Sequence, residues 1–135
     1  MPTLFPPQDL AERYVCLNAD GSAKATAGGQ VFWLQADETL ERYGRDWLVT
    51  EFLFEADWTN WEMHPEADEV VYVIDGSVDL ILEFPIGTQT FAVRGRGYVV
   101  VPKGVWHTAK VHAPSRVLHI TMGAGTQHRP VVDEA

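Results

Sequence analysis

From Gln30 onward the chain is a succession of short apolar or alternating runs, each closed by turn residues: "VFWLQ", "WLVTEFLFE", "WTNWEMH", "EVVYVI", "SVDLILEF", "QTFAV", "YVVVP", "WHTAKV" and "RVLHITM". β-Branched and aromatic residues dominate them, which suits a pleated, half-buried surface. Gly76, Pro85 with Gly87, the "RGRG" of residues 94–97, and Pro114 with Ser115 separate the runs at intervals that fit a sandwich or barrel. No helical period longer than two turns interrupts this. "ADETLERYGRDW", residues 36–47, offers one helical turn, with Gly44 against it.

Before Gln30 the pattern is different. "MPTLFPPQDLAERY" carries three prolines in its first seven residues, which bars it from a sheet interior, and a turn is expected from Gln8 to Arg13. "NADGSAKATAGG", residues 18–29, is small and polar with three glycines and reads as a loop. The pattern predicts one all-β domain over residues 1–135, with an arm and loop over 1–30, a barrel over 31–122 and a tail over 123–135.

Composition narrows the partners. Hydrophobic residues at 46% and charged residues at 21% are ordinary globular usage. A formal charge of -9 gives a long-range field that repels phosphate backbones and anionic lipids, so neither nucleic acid nor membrane is expected as a partner. Cys16 is the single cysteine and reads as a small buried hydrophobe. With no leader pattern and no apolar run of about 20 residues, a cytoplasmic location is expected.

Candidate chemistry comes from parity. Residues two apart on a strand share a face and lie about 6.6 Å apart. "WTNWEMH" therefore groups Trp58, Asn60, Glu62 and His64 on one face. Glu62 and His64 are spaced so that their side chains can converge on one ion. Glu69 then heads the apolar face of "EVVYVI", where a carboxylate needs water or a cation beside it. "GYVVVPKGVWHTAKV" sets His107 just beyond a Pro-Lys-Gly turn, on the face of Val105 and Ala109.

These segments resemble the cupin superfamily, in particular small single-domain cupins of the cupin 2 type. "HPEADEVVYVIDG" supplies His64, four residues, Glu69, six residues and Gly76; "PKGVWH" supplies Pro102, Gly104 and His107. The resemblance implies a double-stranded β-helix, the jelly roll. It assigns metal-ligand positions to His64, Glu69 and His107, and a fourth, histidine in the family, to Glu62. Two further departures are visible: Arg96 stands where the second motif opens with glycine, and Val111 where it closes with asparagine. Two imidazoles with carboxylates suit Fe or Mn, with Ni and Zn as alternatives.

Trp58, Asn60 and His119 are expected around the pocket, His119 because it shares a face with Val117 and Thr121. The histidine and arginine of "TQHRP" either cap the barrel mouth or lie in a solvated tail. The resemblance further implies a homodimer and a small polar ligand. A mononuclear metal-dependent oxygenase or isomerase is the leading expectation. A non-catalytic binder, and a metal-free isomerase or epimerase using His64 or His107 as base, are the alternatives.

Overall fold

The computed structural model describes residues 6–132. The first five residues of the proline-rich opening and the last three of the tail lie outside them. The elements run β1 (Arg13–Leu17), β2 (Ala23–Ala27), α1 (Gln30–Trp33), α2 (Asp37–Tyr43), β3 (Trp47–Phe54), β4 (Asn60–Met63), β5 (Glu69–Phe84), β6 (Gly87–Arg94), β7 (Tyr98–Val101), β8 (His107–Thr121) and β9 (Gln127–Pro130).

Two long strands organise the fold. β5 and β8 pair antiparallel along most of their lengths, from Val70 opposite Ile120 to Leu82 opposite His107, and the register slips between Val73 and Val78. One half of this ribbon continues through β3 and β1 to β2, with β7 on the other side. The other half carries β6 on one side and β4 with β9 on the other. The result is an all-β jelly roll of two sheet halves joined at the slip.

The alternation of buried residues along β5 changes phase there. Val71 and Val73 are buried before the slip, and Val78, Leu80 and Leu82 after it. Gly76 makes the bend, with φ 115. A Cβ at that position would stand 2.2 Å from Ser115 Oγ, so only glycine allows β5 this close to β8. Ser115 in turn accepts the Ser77 N–H at 3.0 Å and donates to the Ala113 carbonyl at 2.7 Å, satisfying groups that the broken ladder would orphan.

The buried faces of β5, β7 and β8, with Val93 of β6, form the main core, against which Phe54, Trp58, Phe84 and Val111 pack. A second cluster of Tyr14, Cys16, Phe32 and Leu48 ties β1, α1 and β3 together. Burial, with Asp46 beside it, raises the Cys16 thiol pKa.

Three segments differ from the sequence expectation. "RYVCL" and "AKATA" form a hairpin within the region read as arm and loop. "VFWLQ" turns as a helix and not a strand, because Phe32 finds its burial between Tyr14 and Tyr43. "QHRP", read as part of the tail, pairs with β4 as β9. α2 has seven residues, longer than the single turn expected, and Gly44 caps it with an ordinary right-handed conformation.

Candidate metal centre

β4 lies between β8 and β9, so Glu62 stands opposite His107 on one side and His128 on the other. His64 follows one residue past β4, Glu69 opens β5, and His107 opens β8. The loops carrying them are stitched together. Gly104, at φ 79, donates its N–H to the His64 carbonyl at 2.8 Å, and Lys103 N–H donates to Asp68 Oδ1 at 2.9 Å. Asp68 therefore fastens the turn and does not reach the cluster.

One ligand atom from each of Glu62, His64, Glu69 and His107 falls within 4.8 Å of all the others. His64 Nε2 lies 3.3 Å from Glu62 Oε1 and 3.3 Å from Glu69 Oε2. His107 Nε2 lies 3.4 Å from Glu62 Oε1 and 3.1 Å from Glu69 Oε1. Ligand bonds of about 2.0–2.2 Å put neighbouring donor atoms roughly 3 Å apart, so these spacings suit one shared ion.

The outer nitrogens fix which atoms face inward. His64 Nδ1 is 2.7 Å from Thr126 Oγ1, whose own hydrogen goes to the Gly123 carbonyl at 2.7 Å. Thr126 must therefore accept, and the His64 proton sits on Nδ1. His107 Nδ1 likewise donates to the Val105 carbonyl at 3.1 Å. Nε2 of each ring is thus the atom that faces the carboxylates and can act as a ligand on giving up its proton, the arrangement that outer partners impose on metal-binding histidines. Thr121 donates to Glu69 Oε2 at 2.5 Å. His107 Nε2 and Glu69 Oε1 are buried without a hydrogen-bond partner among the described residues. With Nε2 deprotonated these are two lone-pair atoms 3.1 Å apart, an arrangement that suits a cation held between them.

Charge coupling inside the cluster is strong. Burial opposes ionisation of His64 and His107, yet the Glu62 and Glu69 carboxylates beside them outweigh it and, with no ion in the cluster, hold the pKa values up at about 9 and about 10. The carboxyls of Glu62 and Glu69 are driven well below their ordinary range; burial opposes this, and the surrounding imidazoles prevail. His128, at the mouth, is raised by its contact with Glu62.

A cavity of about 900 Å³ opens beside Glu62, His64 and Glu69, and Trp58, Asn60 and His119 line it. His107 sits behind, at 0% exposure. Trp58 packs against both His107 and His119, with ring centroids 6.1 Å away in each case. Asn60 is exposed, and its carbonyl accepts a hydrogen bond from Thr108. Trp61 and Trp106 hold Arg129, whose guanidinium carbon is 5.1 and 4.6 Å from their rings.

The EutQ-like cupin domain matches residues 44–117, more than half of the chain. The chain belongs to that cupin family. No curated protein matches it at a significant level. Among solved structures, peruvianin-I from Thevetia peruviana latex is 11% identical, with 64% of this chain and 56% of that one covered at a TM-score of 0.52. A variant of the oxalate decarboxylase of Bacillus subtilis is 17% identical over 64% of this chain and 23% of that one, at 0.50. A cupin-2 domain protein of Shewanella frigidimarina is 24% identical over 56% and 67%, at 0.42. This cupin spans 56% of the first of these proteins and 23% of the second, and at such identities their likeness to it concerns the fold.

Two positions at which this cupin departs from the motifs have a defined setting in the structure. Arg96 takes a left-handed conformation, φ 73, which glycine adopts without strain. The Val111 N–H is received by Asp57 Oδ1 at 2.7 Å. Thr126 and Thr121 escaped the sequence reading as partners of the cluster; a threonine carries no signal until the fold shows what its hydroxyl meets. No helix among the described residues is long and apolar enough to cross a membrane.

Proposed function

We propose that this cupin holds one divalent metal ion between Glu62, His64, Glu69 and His107 and acts on a small molecule that reaches it through the adjoining cavity. The observation that carries this reading is the convergence of two imidazole Nε2 atoms and two carboxylates, with Nδ1 of each ring committed as a donor to an outer partner. Two imidazoles with two carboxylates favour Fe(II) or Mn(II) over Zn(II) and Ni(II). Bound there, such an ion supplies Lewis acidity or redox chemistry, which suits an oxygenase or an isomerase.

The chain's own residues have separable tasks. Thr126 and the Val105 carbonyl orient the rings, Thr121 orients Glu69, and Trp58 with Phe54 keeps water from the inner wall. His128, 55% exposed at its side chain and 3.5 Å from Glu62 Oε2, sits where a proton can pass between cavity and solvent. A metal-free reaction with His64 or His107 as general base fits less well, because between the two glutamates both rings stay protonated at neutral pH.

The test is calorimetric titration of chelator-treated protein with Mn(II), and with Fe(II) under nitrogen. Saturation at one ion per chain, followed by oxygen uptake or isomer formation with a panel of small molecules, supports the proposal. Failure of every divalent ion tried to bind saturably overturns it.

A further inference from the structure

The walls of the 900 Å³ cavity are one-sided in their chemistry. Phe52, Phe54 and Trp58 surround the His119 ring at centroid distances of 5.4, 6.1 and 6.1 Å. Its described lining contains Asp37, Glu41 and Asp57 but no lysine or arginine. Glu62 and Glu69 would offset the charge of a divalent ion between them, and His128, the other basic group at the mouth, is paired with Glu62, so the lining offers an entering anion little net positive charge.

His119 stands apart in this wall. It is 5% exposed, and its Nδ1 lies 3.6 Å from Glu69 Oε2, too long for a hydrogen bond but close enough for the carboxylate charge to favour the neutral tautomer with its proton on that side. Nε2 is then a buried acceptor, and it has no partner among the described residues; Trp58 Nε1 is buried and unpartnered as well. Buried polar atoms are nearly always satisfied by protein, water or ligand. An acceptor set in an aromatic wall beside a reactive cluster is a ligand-orienting feature.

We propose that the cavity takes a flat, apolar-bodied molecule without negative charge, whose body lies against Phe52, Phe54 and Trp58 and whose hydroxyl or amine hydrogen is accepted by His119 Nε2. Small dianions are disfavoured. This rests on the metal-centre reading, since the molecule's polar end would lie beside the cluster. His119 acts here as a specificity-determining residue rather than a ligand to the ion.

The experiment uses zinc-treated protein whose zinc content is measured separately, titrated by calorimetry with benzyl alcohol, benzoate and oxalate. Benzyl alcohol is expected to bind at least about tenfold more tightly than either anion, and His119→Phe to weaken it about tenfold without changing zinc content. Equal or tighter binding of benzoate or oxalate overturns the proposal, as does undiminished benzyl alcohol binding by a folded His119→Phe. The selectivity arm needs only the unaltered chain, so it decides even if the variant does not fold. Preference for benzyl alcohol without zinc uptake would overturn the metal centre and leave the cavity assignment standing.

Discussion

Thr126 Oγ1 lies 2.7 Å from His64 Nδ1 and, by donating its own hydrogen to Gly123, can only accept from the ring. One hydroxyl outside the cluster thereby decides which nitrogen of His64 faces Glu62 and Glu69. Replacing it leaves the ligands in place and removes the constraint. Thr126→Val is predicted to fold normally and to weaken metal retention by about 10–100-fold. Competition with a fluorescent chelator measures this; unchanged affinity would mean that Thr126 does not orient the ring.

The cluster also predicts how the chelator-treated protein responds to pH. His64 and His107 have folded pKa values of about 9 and about 10 against an ordinary 6.5. The stability they lend is fully present below about 6.5 and is lost as pH rises through 9 to 10. Glu62 and Glu69 are shifted the other way from 4.5, so their contribution is present above that value and lost as pH falls through their lowered folded values. Thermal unfolding of chelator-treated protein should therefore show Tm falling between pH 6.5 and 10, and falling less in His107→Gln. A Tm that rises over this range would contradict the ion-pair description.

Arg96 is the one non-glycine residue with positive φ among the described residues, at 73. Left-handed backbone costs a side-chain-bearing residue about 1–2 kcal/mol, part of which glycine returns as entropy lost on folding. Arg96→Gly is predicted to stabilise the protein by roughly 0.5–1 kcal/mol. Urea denaturation should show a higher midpoint with an unchanged slope. A lower midpoint would show that the Arg96 side chain has a structural task of its own.

The sequence disclosed the site better than the edges of the fold. Strand parity and the motif spacing named Glu62, His64, Glu69 and His107, which the fold brings into one cluster, because residues at strand ends keep a fixed relation to the turns that precede them. β1 and β2 were hidden: Tyr14 and Cys16 are buried, but the flanking prolines and glycines resemble a linker until β3 supplies an edge to pair with. β9 was hidden for the opposite reason. "QHRP" has no β preference and becomes a strand through its pairing with β4 and the hold of Trp61 and Trp106 on Arg129. Short apolar runs do not distinguish helix from strand, which is why "VFWLQ" misled.

The most direct measurement is elemental analysis of the purified protein beside His64→Ala, His107→Ala and the remote His112→Ala, whose ring pairs with Asp79 at 2.8 Å and not with the cluster. The account predicts one divalent ion per chain in the unaltered protein and in His112→Ala, and loss of that ion from folded His64→Ala and His107→Ala. Retention of the ion by both of those variants, or no metal in the unaltered chain even after reconstitution with Fe(II), Mn(II), Ni(II) and Zn(II), would contradict it.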